Sequence, residues 1–114
     1  MQKDNSLYLK HIRDSICKIE GFVEGLDLEG FLSEDRLMTR SAVVRELEVV
    51  GEAANRVEKN YQTEHPEIPW RDMIDTRNKV VHDYFMVDYD LAWDIIKKDL
   101  PKLRKDLEKI VGVL

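Results

Sequence analysis

One short segment of the chain, Arg77 to Tyr84 with the sequence RNKVVHDY, concentrates side chains that could do chemistry. Imidazole titrates near neutral pH, so His82 suits general acid or base work on the proton of a 2′-hydroxyl. The guanidinium of Arg77 stays charged and offers a planar fork to phosphate oxygens, which suits a negatively charged transition state. Asn78 could orient the imidazole or the phosphate. These residue types favour cleavage of RNA without a metal ion.

Other chemistries have less support in the sequence. The three histidines, His11, His65 and His82, are far apart, and no Cys or His pair has zinc-ligand spacing. The carboxylates do not follow the order of a calcium-binding loop. There is no Gly-x-Ser-x-Gly motif and no glycine-rich phosphate loop, and Cys17 has no evident partners for a triad. We therefore expect no metal ion and no cofactor.

Helical geometry limits how the segment could act on a single phosphate. At about 100° per residue, Asn78 and His82 share a helix face, whereas Arg77 and His82 point about 140° apart. Either the helix distorts near His82, or two copies of the segment meet across a two-fold axis. We favour the second arrangement, in which each subunit of a homodimer adds one Arg and one His to a shared cleft.

The same segment also has an ordinary structural interpretation. Arg77, Lys79 and Asp83 could form a solvated helix face with ion pairs between residues four apart. His82 could be a hydrogen-bonded packing residue, and Tyr84 could be a core aromatic with a wet hydroxyl. Spacing alone leaves this alternative open.

Composition bounds the class of protein. The 114 residues suffice for one domain, residues 1–114, and 36% of them are charged, which suits long exposed helix faces. The net charge of −5 counts against a protein that binds nucleic acid by overall charge, so a basic surface must be local or shared with a second subunit. Without an apolar signal core or a run of ~20 apolar residues, we expect a cytoplasmic protein outside the membrane.

Four helical patterns must position the segment, because apolar residues recur at spacings of three and four. The predicted helices span approximately residues 4–25, 33–61, 69–84 and 88–114. One further helical turn is expected around Phe31 and Leu32, and Pro101 should interrupt the last helix near Leu100. No alternating run of β-branched residues predicts a sheet. The expected fold is all-α, an antiparallel bundle of four to five helices.

The pattern Arg77-Asn78-x3-His82-x-Tyr84 resembles the signature of the HepT-like branch of HEPN proteins. The resemblance extends over nearly the whole chain, and no motif position departs from the family pattern. The further segments that resemble the family, in its order, are residues 8–12, 19–22, 45–54, 66–70, 80–85 and 99–101.

This resemblance implies a HEPN-like bundle that dimerises with the motif at the interface. It implies a metal-independent RNase that serves as the toxin of a toxin–antitoxin pair, with a minimal nucleotidyltransferase as the antitoxin partner. Carried over by position, Arg77 and His82 would be catalytic, Asn78 would support them, and Tyr84 would be adenylylated to silence the nuclease. The alternative is a non-catalytic HEPN-type scaffold or binding subunit of the nucleotidyltransferase.

Overall fold

The computed structural model describes the backbone of residues 2–83 and 86–111, and the side chains of residues 5–81 and 86–110. A 3-10 turn, Glu34–Arg36, precedes the third helix, and a π-helical turn, Ile95–Asp99, joins the last two helices. Within these residues the helices are α1 Gln2–Phe22, α2 Leu28–Leu32, α3 Leu37–Arg56, α4 Lys59–Glu64, α5 Trp70–Val80, α6 Tyr89–Asp94 and α7 Leu100–Val111.

The long helices pack antiparallel, with α3 between α1 and α5. Asn5, near the start of α1, lies beside Glu58, just after the end of α3: its Nδ2 donates to Glu58 Oε1 at 3.2 Å. The Glu58 N–H donates back to Asn5 Oδ1 at 3.1 Å. The predicted all-α antiparallel bundle is confirmed. No helix among the residues described is long and apolar enough to cross a membrane.

The core consists of the apolar stripes that the sequence predicts. On α1, Ile12, Ile16 and Ile19 are fully buried, and the stripes of α3 and α7 face them. The predicted turn around Phe31 is α2, and Phe31 packs against Trp93 with ring centroids 5.0 Å apart. Burial of these stripes supplies most of the stability of such a bundle, since helix propensity alone is weak.

A buried arginine holds the connection between α2 and α3. Arg40 is 8% exposed, and its Nη1 donates to the backbone oxygens of Phe31 and Ser33, each at 2.7 Å. The guanidinium also lies 5.1 Å from the ring centroid of Tyr89. These contacts stabilise a charge whose burial would otherwise be unfavourable, and they link residues 31–40 to the start of α6.

The helix that carries the motif ends earlier than the sequence indicates. It was predicted to continue through Tyr84, but α5 ends at Val80 and the backbone becomes strand β1, Val81–Asp83. This strand pairs antiparallel with β2, Met86–Val87, in a two-stranded ribbon where no sheet was predicted. The ribbon is local, so the fold class is unchanged. Val80 and Val81 are both buried, and adjacent β-branched residues favour extended backbone.

Asp88 closes the ribbon and starts helix α6. Its N–H donates to the Val80 oxygen at 2.7 Å, which joins the residue after β2 to the end of α5. Its side-chain Oδ1 accepts from the Leu91 N–H at 3.0 Å and caps α6.

Asp88→Ala is therefore expected to lower the free energy of unfolding by about 1 kcal/mol, the usual loss for an N-cap. Urea denaturation would measure it. Asp90→Ala, in the first turn of the same helix, is the control. Both variants are measured in high salt, because salt screens the interaction of the Asp90 charge with the helix dipole. Equal losses in the two variants would contradict the cap.

Pro101 has the predicted effect on the last helix. Proline has no N–H to donate, and its ring crowds the preceding turn. The π-helical turn Ile95–Asp99 lies immediately before it, and the Leu100 N–H donates to the oxygen of Ile95, five residues back. The predicted interruption near Leu100 is confirmed, and it takes the form of a π turn.

Candidate active site

Gly51 brings α3 and α5 into close contact. A Cβ at this position would lie 3.0 Å from the Met73 oxygen and 3.4 Å from the Ile74 oxygen. The missing side chain therefore lets the two backbones approach. One turn earlier on α3 and one turn later on α5, Glu48 and Arg77 are brought within reach of each other.

Arg77 is anchored by Glu48. The Arg77 Nε donates to Glu48 Oε2 at 3.3 Å, and the two side chains are 50% and 36% exposed. At such exposure the pair stabilises the fold by at most about 1 kcal/mol, so its main effect is to orient the guanidinium. Among the described side chains, no acceptor contacts the two terminal amino groups of Arg77.

The rest of this helix end is polar and exposed. Asn78 is exposed and lies beside Arg77. The Lys79 Nζ pairs with Asp72 Oδ1 at 3.3 Å within α5. The ordinary interpretation of the motif predicted ion pairs between residues four apart on one helix. Arg77 pairs across helices, and Lys79 pairs with a residue seven positions earlier. The pair that this spacing offers Lys79 is with Asp83, whose side chain lies outside the described residues.

The other half of the predicted site is only partly described. His82 lies on β1, beyond the end of α5, and its side chain lies outside the described residues, as does all of Tyr84. A regular helix would point Arg77 and His82 about 140° apart. That angle does not apply here, because α5 ends two residues before His82. The shared cleft between two subunits stays a prediction.

Arg77 and Asn78 line an open groove across the outer face of α3, which we call the α3 groove. Helix α1 forms one wall, α5 forms the other, and α3 forms the floor. Its charged and polar lining consists of Tyr8, His11, Arg45, Glu48, Glu52, Asn55, Arg56, Arg77 and Asn78. Three arginines and two glutamates give the groove a local excess of positive charge in a chain of net charge −5.

Arg56 is fixed at one end of this groove. Interaction with the Tyr8 hydroxyl, and then with the Glu52 carboxylate, raises the pKa of the Arg56 guanidinium above its ordinary value. The Arg56 Nη2 lies 3.3 Å from Glu52 Oε2. Like the other arginines of the groove, Arg56 is positively charged at neutral pH.

Sequence reasoning missed the contribution of α1 to this groove. Tyr8 and His11 are three residues apart and lie at the edge of the predicted apolar stripe, which was a signal that they share a face. Their proximity to Arg77, about seventy positions along the chain, depends on packing that periodicity does not encode. Among the described side chains, no three His, Cys, Asp or Glu residues could hold a metal ion; His82 and Asp83 are not among them.

The protein is a small all-α domain in which the end of one core helix presents a polar motif to an open groove. This combination of fold and site defines its class. Residues 12–110 match the family model described as Ribonuclease HepT-like. The chain therefore belongs to the HepT-like family, and the resemblance noted in the sequence is confirmed.

Similar proteins carry related names. The chain is 38% identical over 110 residues to "Probable ribonuclease HepT" of Thermococcus cleftensis, which covers 96% of this chain and 98% of that protein. It is 35% identical over 107 residues to "Putative RNase MJ1380" of Methanocaldococcus jannaschii, with 94% and 96% covered. It is 36% identical over 104 residues to "Putative RNase TTE0752" of Caldanaerobacter subterraneus subsp. tengcongensis, with 91% of each chain covered. No solved structure matches the chain.

Proposed function

We propose that this protein is a metal-independent endoribonuclease in which Arg77 and His82 are catalytic and Asn78 supports them. The observation that carries the proposal is the Arg77 guanidinium, half-exposed and held through its Nε by Glu48 at the end of α5. The backbone of the strand that begins at Val81 includes His82, two residues after the end of α5, which supports a site that uses both residues. Membership of the HepT-like family and the names of similar proteins support the same activity.

The reaction is an attack by the 2′-oxygen of RNA on the adjacent phosphorus. His82 takes the 2′-hydroxyl proton, the P–O5′ bond breaks, and the leaving 5′-oxygen receives a proton. The terminal amino groups of Arg77 donate to the non-bridging oxygens, whose negative charge grows in the transition state. The products are a 2′,3′-cyclic phosphate and a 5′-hydroxyl.

A homodimer supplies both proton transfers. In the shared cleft, the His82 of one subunit acts as the base and that of the other acts as the acid. Each subunit also brings one Arg77, so two guanidiniums face a single phosphate. This arrangement concentrates positive charge locally on a chain that is acidic overall.

Regulation follows from the position of Tyr84, two residues after His82. We assign the protein as the toxin of a cytoplasmic toxin–antitoxin pair whose partner is a minimal nucleotidyltransferase antitoxin. The tyrosine oxygen attacks the α-phosphorus of ATP, pyrophosphate leaves, and AMP stays on the tyrosine. The added bulk and negative charge would exclude an RNA phosphate from the cleft.

End-group analysis of RNA after incubation with the purified protein tests this proposal. Cleavage in EDTA that leaves cyclic phosphates and 5′-hydroxyls is expected. Loss of cleavage in EDTA, or 5′-phosphate ends, would overturn the mechanism. Incubation with the nucleotidyltransferase and ATP should add the mass of one AMP to the protein and stop cleavage, and Tyr84→Phe should escape both effects.

A second candidate function is a non-catalytic scaffold of the nucleotidyltransferase. The net charge of −5 favours it. In that case the protein would bind the nucleotidyltransferase tightly and leave RNA intact at every concentration.

A further inference from the structure

We propose that the α3 groove is the channel for single-stranded RNA, in which Tyr8 and His11 stack on a base while Arg45 and Arg56 bind phosphates beside the scissile one. This inference rests on the proposed nuclease function, because it leads the substrate to Arg77. It assigns a role to residues of α1 and α3 that lie outside the sequence motif.

The aromatic pair is the first observation. Tyr8 and His11 lie one turn apart on α1, with ring centroids separated by 6.5 Å and planes inclined at 75°. Tyr8 is half-buried against the core, which fixes its ring, while His11 is exposed in the groove. An exposed aromatic face beside positive charge is the usual platform for an unpaired base, since every base has a face that can stack.

The second observation is the placement of the arginines along α3. Arg45 and Arg56 are eleven residues apart, which at the rise of an α-helix is about 16 Å along the groove floor. That length accommodates more than one phosphate of an extended strand. Arg45 is exposed and forms no ion pair with any residue that the structure describes. A phosphate could therefore bind Arg45 without displacing a carboxylate of the described residues.

The two glutamates explain how an acidic protein could bind RNA without retaining it indiscriminately. Glu48 engages Arg77, and Glu52 engages Arg56, so each carboxylate lowers the net charge that a passing phosphate meets. Binding then depends on base stacking as well as charge. A single strand can offer unpaired bases, whereas the bases of a duplex are stacked on one another.

The affinity for a fluorescent single-stranded RNA tests the proposal, with a 2′-O-methyl oligonucleotide as the probe so that cleavage does not interfere. His11→Ala should weaken binding about tenfold, the effect of losing one stacked base. Arg45→Ala should weaken it and reduce the salt dependence by about one phosphate contact. Arg71→Ala removes an exposed arginine of α5 outside the groove and is the matched control.

The outcomes separate this inference from the function on which it rests. If the natural sequence binds the probe and both groove variants bind as tightly as Arg71→Ala, the proposed RNA channel is wrong and the proposed nuclease function is unaffected. If the natural sequence neither binds nor cleaves RNA, both fall. If His11→Ala and Arg45→Ala leave RNA affinity unchanged but alter the dimer in gel filtration, the groove is a subunit contact and the channel is overturned.

Discussion

His82→Ala and Arg77→Ala are each expected to lower the rate of RNA cleavage in EDTA by about 10²–10⁴-fold. The first variant removes the group that moves the 2′-hydroxyl proton, and the second removes donors to the developing charge on phosphorus. Because the two residues act in one step, the double variant should be little slower than the worse single variant. Single-turnover cleavage of a labelled RNA would measure all three.

Two nearby substitutions serve as controls for these losses. Lys79 lies two residues after Arg77 and is paired with Asp72, so Lys79→Ala removes a nearby cation and leaves Arg77 in place. His65→Ala removes a histidine paired with Glu67, outside the α3 groove. Both should cleave at close to the natural rate. A fully active Arg77→Ala or His82→Ala protein would remove the proposed mechanism.

Mixing the two inactive chains distinguishes a shared cleft from two separate ones. A heterodimer of Arg77→Ala and His82→Ala subunits keeps one guanidinium and one imidazole in a common cleft. Some cleavage should therefore return after the chains are unfolded and refolded together. If each site were built within one chain, the mixture would stay as inactive as its parts.

Gly51→Val is expected to lower the free energy of unfolding by about 1–3 kcal/mol, the usual range for overpacking. The neighbour here is backbone: the Met73 oxygen lies 3.0 Å from the position of a Cβ. Relief requires α5 to move away from α3, which also separates Arg77 from Glu48. Cleavage should fall along with stability.

Gly21→Val is the matched control, because Gly21 is helical like Gly51 but exposed, and a Cβ there meets nothing within 4 Å. Its stability should change by less than about 0.5 kcal/mol. Urea denaturation of both variants compares them, with the slope checked for constancy. Equal stabilities would mean that α3 and α5 do not approach as closely as Gly51 requires.

Periodicity in the sequence predicted the core helices and their buried faces. It worked because the stripes, such as that of Ile12, Ile16 and Ile19, depend only on the 3.6-residue repeat. Pro101 likewise predicted an interruption near Leu100 through its missing donor, and the structure shows that the interruption is a π turn. Both are local properties of the chain.

Helix ends that are not marked by a glycine or a proline were harder to predict. The end of α5 at Val80 depends on the burial of two adjacent valines and on the pairing of β1 with β2. The break between α3 and α4 was also missed, because Val57 and Tyr61 are four apart and continue the apolar pattern across it. Tertiary packing decides such positions, and propensity is a weak guide to it.

The candidate site likewise has one part that the sequence predicts and one part that depends on tertiary packing. The residue types of Arg77 and Asn78 were evident from the sequence, because they lie next to each other in the motif. The partnership of Arg77 with Glu48, and the aromatic wall of the α3 groove, join residues from three different helices. The close approach of α3 to α5 at Gly51 brings Glu48 to Arg77, and the packing of α1 on α3 supplies the aromatic wall.

The π turn between α6 and α7 gives the chain one point at which its length can change with little effect on the core. A π turn accommodates one residue more than an α-helical turn, so residues 95–99 contain a surplus residue that the wider turn absorbs. Deleting one residue there would return the turn to α-helical winding and leave the residues after it on the face they now occupy. Leu103 and Leu107 would stay buried, and Arg104 would stay beside Glu20. A one-residue deletion within residues 95–99 should therefore be tolerated far better than one within α7, which would rotate the residues after it by about 100°.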